Sequence, residues 1–542
     1  MAESRISGAG GVELAEQGGA QRAIARASTA TAAFVGRTLK GPVNHPVLIG
    51  SFAEFQHHFG GLWQPAALSY AIEQFFENGG SKAYVVRVVN GARPRTISLR
   101  SSAGLLTLVG LDPGSREYLR ASVDYDGIAE NEPDRFNLVV QRVRSAGSEL
   151  IQDQEIFRRI SVLQESGRWV PDVLAESRLV RVVGAPPAQR PERSAGGPGG
   201  GAIGYAGSNP DGDDGGPITD YDVIGSASDR TGMFALPADF NFLCIPPLAR
   251  EQDVGSSTLL VAARFCRERH AMLIVDPPMS WVSSRTALDA MRTWPFRSDN
   301  SVMYFPRVQA FDRLRGKVET FASCGAAAGM IARCDETWPV WAAAETDDAV
   351  LRPGLRPAVP VSEAERMRLV QTGINVLASV RSTYRGGVSP RTLAAGGLGT
   401  SDWKYLSARR LALFVASSIE QGTRWVLMEP NTQATWEKAR TQVAAFLQSL
   451  ADGGAFGGQA AGESHLVICD ERINRAETIA EGKLNILFGF ATSKPGEFDT
   501  WLVTHQAAGS RARPVSVNRL TTSRQRVGWE IETSILRKLS GH

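Results

Sequence analysis

The stretch Ala67–Val89, "ALSYAIEQFFENGGSKAYVVRVV", decides the fold class of this chain. Leu68, Ile72, Phe75 and Phe76 fall at helical spacing, so its first half is an amphipathic helix. Asn78-Gly79 supplies the stop. "KAYVVRVV" follows as a short strand rich in β-branched residues. Upstream, "TATAAFVGRTLKGPVNHPVLI" adds a strand around Ala32–Val35, a Gly-Pro turn and a second short strand. A strand–helix–strand opening of this kind suits an α/β layer.

Working outward, the character changes between residues 95 and 235. Short alternating segments ("TISLR", "LLTLVG", "FNLVVQRV", "SRLVRVV") separated by turn residues read as a β-rich insertion. It closes in a glycine-rich, exposed loop, "PERSAGGPGGGAIGYAGSNPDGDDGGP". The α/β rhythm then returns: "FNFLCIPP" is a strand, "STLLVAARFCRERH" a helix, "AMLIVDPP" a strand, and "SVMYFP" another after an intervening helix. "FASCGAAAGMIA" (321–332) reads as a core segment. Ser362 followed by Glu363 and Glu365 marks a further helix start.

In "SARRLALFVASSIEQGTRWVLMEPN" (407–431), Leu411, Phe414, Val415 and Ile419 form an apolar helix face. Gly422 stands where a left-handed cap would end it. "RWVLM" reads as a buried strand stopped by Pro430. "TWEKARTQVAAFLQSL" is a helix with Trp436, Val443, Leu447 and Leu450 on one side, and "HLVIC", "LNILFGF" and "TWLVTH" are strands. The residues past 504 are basic and extended, with a Val515/Val517 alternation, and read as an arm too small for its own core.

The expected fold class is therefore α/β and α+β, multidomain. An N-terminal arm (1–28) precedes an α/β core (29–94 and 236–360) interrupted by the β-rich domain (95–235). A C-terminal α+β domain (361–504) and an arm (505–542) follow. At 542 residues the chain is too long for one core. Its net charge of +3 is too small for a nucleic-acid binder. No apolar run reaches the roughly 20 residues of a membrane span, and "MAESRISGAGG" lacks the basic-then-apolar pattern of a secretory signal. The five cysteines (Cys244, Cys266, Cys324, Cys334, Cys469) form no CxxC pair and read as buried thiols; only a Cys324–Cys334 bridge is worth considering.

Chemistry-bearing motifs are nearly absent. Gly199, Gly201 and Gly204 spell G-x-G-x-x-G, but neither a strand precedes them nor a helix follows, so they read as loop. Asn209, Asp211 and Asp213 alternate, with Asp220 at the twelfth place, like calcium ligands, yet Asp214 stands where such a loop requires glycine; a turn is the better reading. His57-His58 lie beside a turn, away from any metal-ligand spacing. Asp276 in "LIVDPP" sits at a strand end, where α/β enzymes keep catalytic groups. The prolines after it and the lack of a paired base favour a structural role. No catalytic, cofactor-binding or metal-ligating set is expected.

Segment after segment, the chain resembles the contractile tail sheath family of phage tails and phage-tail-like injection particles. "TAAFVGRTLKGPVNHPVLIGSFAEFQHHFGGLW" and "ALSYAIEQFFENGGSKAYVVRV" carry the family's N-terminal core. "FNFLCIPP", "CRERHAMLIVDPP", "MYFPRV" and "VSEAERMRLVQTGIN" continue it in order. "SARRLALFVASSIEQGTRWVLMEPNTQATWEKARTQVAAFLQSLADGGAFGG" and "GKLNILFGFATSKPGEF" look like its C-terminal domain. Three departures stand out: the usual N-terminal motif survives only as "AGGVELAE", "GGVSPRTL" replaces a Trp-Gly-Ala stretch, and the chain runs nearly 40 residues past the usual last strand.

The resemblance implies stacked hexameric rings of identical subunits around an inner tube protein, triggered by a baseplate and capped by a tail terminator, with a sheath paralogue as a further possible partner. It implies assembly in the host cytoplasm into a virion tail or released particle, without nucleic-acid binding or membrane insertion. Terminal arms would add strands to neighbours, through Val12, Leu14, Val515 and Val517. Arg409, Arg410, Lys438 and Arg440 are the basic candidates for facing the tube. Two other classes compete: an α/β enzyme using Asp276 with a substrate loop at 195–217, and a cell-surface binding protein.

Overall fold

The computed structural model describes residues 23–194, 204–342, 346–382, 388–395, 402–458, 462–492, 495–515 and 520–521. The chain divides into two compact units, Ser28–Leu413 and Met1–Ala27 with Phe414–His542.

The larger unit opens with β1 (Ala32–Gly36), β2 (Val47–Ile49), α1 (Phe52–Phe59), α2 (Ala67–Glu77) and β3 (Ala83–Arg87). As the sequence predicts, α2 stops at Asn78 and Gly79, the glycine at a φ of +103°. The insertion comprises β4 (Pro94–Ser101), β5 (Gly104–Pro113), β6 (Tyr118–Asp124), β7 (Arg135–Val143), β8 (Ile151–Ser161), α3 (Val170–Leu174), β9 (Val180–Val183) and β10 (Ala206–Gly207). Its strands pair antiparallel in two sheets, β4-β5-β9 and β10-β6-β7-β8, over a core that includes Leu108, Phe136 and Leu138.

The return begins with α4 (Asp220–Ile224), followed by β11 (Phe242–Cys244), α5 (Ser256–Glu268), β12 (Met272–Val275), α6 (Ser284–Met291) and β13 (Ser301–Phe305). Next come β14 (Val308–Asp312), β15 (Lys317–Phe321), α7 (Cys324–Thr337), β16 (Arg356–Pro357), α8 (Glu363–Gln371) and β17 (Ile374–Val376). Ile218, Val223 and Met233 pack into the α/β core, so the insertion ends before residue 218, not at 235.

The central sheet has the order β17-β13-β12-β11-β1-β3-β2, parallel except for β2. β17 pairs with β13 and Leu369 of α8 joins the same core, so residues 361–376 belong to the α/β unit. The C-terminal unit thus starts at Phe414, some fifty residues beyond the boundary expected at 361. A parallel sheet must be covered on both faces. One face buries Ala33, Val35, Leu243 and Leu273 against α5, α6 and α8. On the other, Phe34 meets Phe75 of α2 edge-on at 5.6 Å. The Gly/Ala-rich segment is α7, buried from Cys324 through Ala332. Its glycines permit backbone contact with α2: a Cβ on Gly325 would lie 1.9 Å from the Ala71 carbonyl oxygen, and one on Gly329 2.3 Å from that of Phe75.

A buried ionic cluster joins the insertion to the sheet. Arg142 of β7 pairs with Glu117 and, at 2.6 Å, with Asp112. Arg87 of β3 donates to the Gly41 carbonyl at 2.6 Å, and Lys40 donates to Gln152 of β8 at 2.5 Å. Burial pushes the Glu117 carboxyl up and Lys40 down, with their mutual attraction opposing both. The second half of the glycine-rich loop is pinned as well. Asp211 accepts from the Thr96 N–H at 3.0 Å, and Asp214 accepts from the N–H of Ser115 at 2.7 Å.

The smaller unit takes most of α9 (Leu406–Gly422), then α10 (Gln433–Asp452), β18 (His465–Ile468), α11 (Ala476–Ala480), β19 (Leu484–Phe490), β20 (Glu497–Gln506), β21 (Gly509–Pro514) and β22 (Leu520–Thr521). The strand expected at "RWVLM" is instead a 3-10 turn, Arg424–Met428. Only Val426 is buried in it, and Leu427 and Met428 point to solvent. Trp425 is held by its indole N–H, which donates to Gln442 of α10 at 2.8 Å. Nor is Gly422 a left-handed cap. It is a close-approach site, where a Cβ would lie 2.7 Å from Ile24 Cγ2.

Substituting Gly325→Ala should force α7 away from α2 and destabilise the Ser28–Leu413 unit by about 1–3 kcal/mol. Chemical denaturation checks this, and Ala328→Gly in the same helix, without the backbone clash, should cost about 1 kcal/mol.

Candidate functional site

The C-terminal ends of the parallel strands are where an α/β enzyme would place its ligand. Here three of them run into proline: Ile245-Pro246-Pro247, Asp276-Pro277-Pro278 and Phe305-Pro306. Proline cannot offer an N–H to an anion. Asp276 Oδ1 accepts from the backbone N–H groups of Ser323 and Cys324, each at 2.7 Å. It thereby caps the start of α7 with a negative charge at the positive end of the helix. Burial raises its pKa, while Arg307 and these donors oppose the rise.

The remaining motif residues are equally structural. His57 and His58 lie exposed in the last turn of α1. Asn209 donates to Thr96 Oγ1 at 2.8 Å, and Asp220 accepts from the Gly255 N–H at 2.9 Å, so neither is a free ligand. All five cysteines are buried and free, and the Cys324–Cys334 bridge does not form. Gly199 and Gly201 lie outside the described residues. Among the described residues, no group of three or more His, Cys, Asp or Glu is placed to hold a metal ion, and no helix is long and apolar enough to cross a membrane.

The four basic candidates separate into two pairs. Arg409 and Arg410 are buried and cannot face a tube. Arg410 pairs with Asp335, donating to its Oδ1 at 2.9 Å and to the Thr29 carbonyl at 3.2 Å. Arg409 reaches Asp299 at 3.5 Å and lies 5.1 Å over the Trp403 ring. The α9 spacing that buries Leu411 and Val415 also turns these arginines inward, where carboxylates compensate them. Lys438 and Arg440 are exposed on α10, with Arg440 in a 3.2 Å surface pair with Glu437.

Of the arm candidates, Val12, Leu14 and Val517 lie outside the described residues. Val515 belongs to its own chain's sheet: its N–H donates to the Thr500 carbonyl at 2.9 Å. β21 folds back on β20 in antiparallel register from Gln506↔Gly509 to Trp501↔Pro514, so the C-terminal arm does not begin at 505. The turn is Ala507-Ala508, with Gly509 at a φ of +135°. The signal was present in "GSRARP", whose Ala512 is buried between exposed Arg511 and Arg513. The sheet runs β18-β19-β20-β21, with β22 also pairing β20, so among the described residues β18 and β21 are its outer strands.

Residues 399–503 match the phage tail sheath C-terminal domain. That match covers about a fifth of the chain, towards its C-terminal end. Among solved structures, the fold is similar to the sheath tail protein Lin1278 from Listeria innocua (12% identity, 89% of this chain and 96% of that one, TM-score 0.57). It is also similar to the sheath of the extracellular contractile injection system PVC in its contracted state (15% identity, 91% and 96%, TM-score 0.50). No curated protein sequence matches the chain significantly.

A buried histidine links elements of the C-terminal unit. His505 is buried, and its ring nitrogens lie 2.8 Å from Thr423 Oγ1 and 2.7 Å from Ser510 Oγ. Burial, and then Arg424, push its pKa down to about 4. The unfolded chain therefore binds the proton first, near pH 6.5, and stability falls as pH drops from about 6.5 to about 4. Thermal unfolding over that range should show a loss of up to about 3 kcal/mol that His505→Gln largely abolishes. Separately, Asp276→Ala should destabilise the larger unit by about 1–2 kcal/mol through loss of the α7 cap, as urea unfolding would read.

Proposed function

We propose that this protein is the repeating subunit of a contractile tail sheath: it polymerises as stacked hexameric rings around an inner tube and shortens to drive that tube through a target envelope. The carrying observation is a tail sheath C-terminal domain whose sheet ends in two outer strands, β18 and β21. An outer strand presents backbone N–H and C=O groups that an extended segment of another copy can pair. Each such hydrogen bond nets about 0.5–1.5 kcal/mol, so one arm is a modest link and the assembled lattice a strong one.

Val12 and Leu14, in the N-terminal segment, and Val517 are the side chains we assign to donated strands. The exposed Lys438 and Arg440 of α10 are the ones we assign to the inner tube. A baseplate, a tail terminator and a sheath paralogue complete the partner set, with assembly in the host cytoplasm into a virion tail or released particle. The role is structural, with no chemistry at Asp276, and the insertion lies on the outside of the tube.

Purified full-length protein should form tubes visible by negative-stain microscopy, and a chain that stays monomeric at high concentration would overturn this reading. Deleting residues 1–22 should abolish or loosen the tubes. Truncation after Thr521 should weaken them while sparing the β20–β21 hairpin. Tubes indistinguishable from wild type in both variants would refute the arm assignment.

A further inference from the structure

The larger unit carries a groove that its own fold leaves open. It lies over the outer face of β15-β14-β16 and holds about 450 Å³. Phe311 and Val318 face each other across the β14–β15 ladder, yet are 61% and 52% exposed. A cross-strand aromatic–aliphatic pair of this kind ordinarily covers a core. Around it stand Arg352, Arg356 and Arg381, and among the described residues no carboxylate lines the groove. An apolar floor with a cationic rim calls for an occupant that is apolar at its tip and acidic at its side.

The same chain presents such a shape elsewhere. The β7–β8 hairpin ends in Glu149-Leu150-Ile151, where Leu150 and Ile151 are 59% and 48% exposed. The Glu149 side chain is 88% exposed and touches Arg120 only at 3.4 Å. We propose that the Glu149–Ile151 hairpin of one copy seats in the Phe311/Arg356/Arg381 groove of the next. This rests on the sheath reading and adds a second contact to it, independent of the terminal arms. A knob and a hole at different places on one subunit make a head-to-tail contact. Such contacts propagate as an open helix unless the rotation closes them into a ring.

Charge reversal in full-length protein tests the pairing. Glu149→Arg alone, and Arg356→Glu with Arg381→Glu, should each raise the critical concentration for tube formation several-fold; the three together should recover most of it. The substituted side chains are exposed, so unfolding temperatures should stay unchanged. Phe311→Ser, which removes the apolar floor without altering charge, should weaken assembly as well. Unaltered assembly in the reversal variants, or a triple variant no better than the worse of its parents, would overturn the proposal while leaving wild-type tubes, and hence the sheath reading, intact.

Discussion

Everything in the larger unit depends on covering a parallel sheet on both faces. β1, β12 and β13 are buried along their whole length, which is possible only if helices approach from either side. On one side bulky residues of α5, α6 and α8 fill the layer. On the other, α2 supplies the aromatic mass and α7 supplies almost none. Gly325 and Gly329 let its backbone lie directly on that of α2. Cys324, which begins α7, is fixed in turn by the carboxylate of Asp276. The residue that most resembles a catalytic acid is thus occupied in starting the helix that closes the sheet.

A second constraint is electrostatic. Glu117, Asp112, Arg142, Arg87 and Lys40 are drawn from the insertion and from the sheet around it. Breaking one such buried pair leaves an uncompensated charge at a cost of about 3–5 kcal/mol. The junction therefore resists swinging, and forces applied to the insertion pass to the α/β layer. Under the proposed sheath function, such stiffness inside the subunit would leave deformation to the contacts between subunits.

The two proposed contacts are of different physical kinds. Outer strands offer backbone hydrogen bonds that any extended segment can satisfy, so they connect without demanding much of sequence. Side-chain surfaces such as the Phe311 groove are selective, because volume and charge must both match. A lattice that must stay connected while its geometry changes can use the first as tether and the second as a register for a given state.

The sequence by itself determined the elements whose periodicity is strong: α2, α10, β12 and β19 stand where spacing puts them, since local pattern and final burial agree. It also carries the resemblance to the tail sheath family, because many segments agree in order. What it could not decide were features set by distant partners. Arg409 and Arg410 look like a solvated helix start until Asp299 and Asp335 arrive from residues far away in the chain to neutralise them. "RWVLM" has a strand's composition, but a strand needs a paired neighbour, and Trp425 finds Gln442 of a helix instead. The residues around 510 looked like an unattached arm, and only the turn at Ala507-Ala508 folds them onto β20. Composition fixes what a segment prefers to bury; which backbone or charge meets it there is a property of the whole fold.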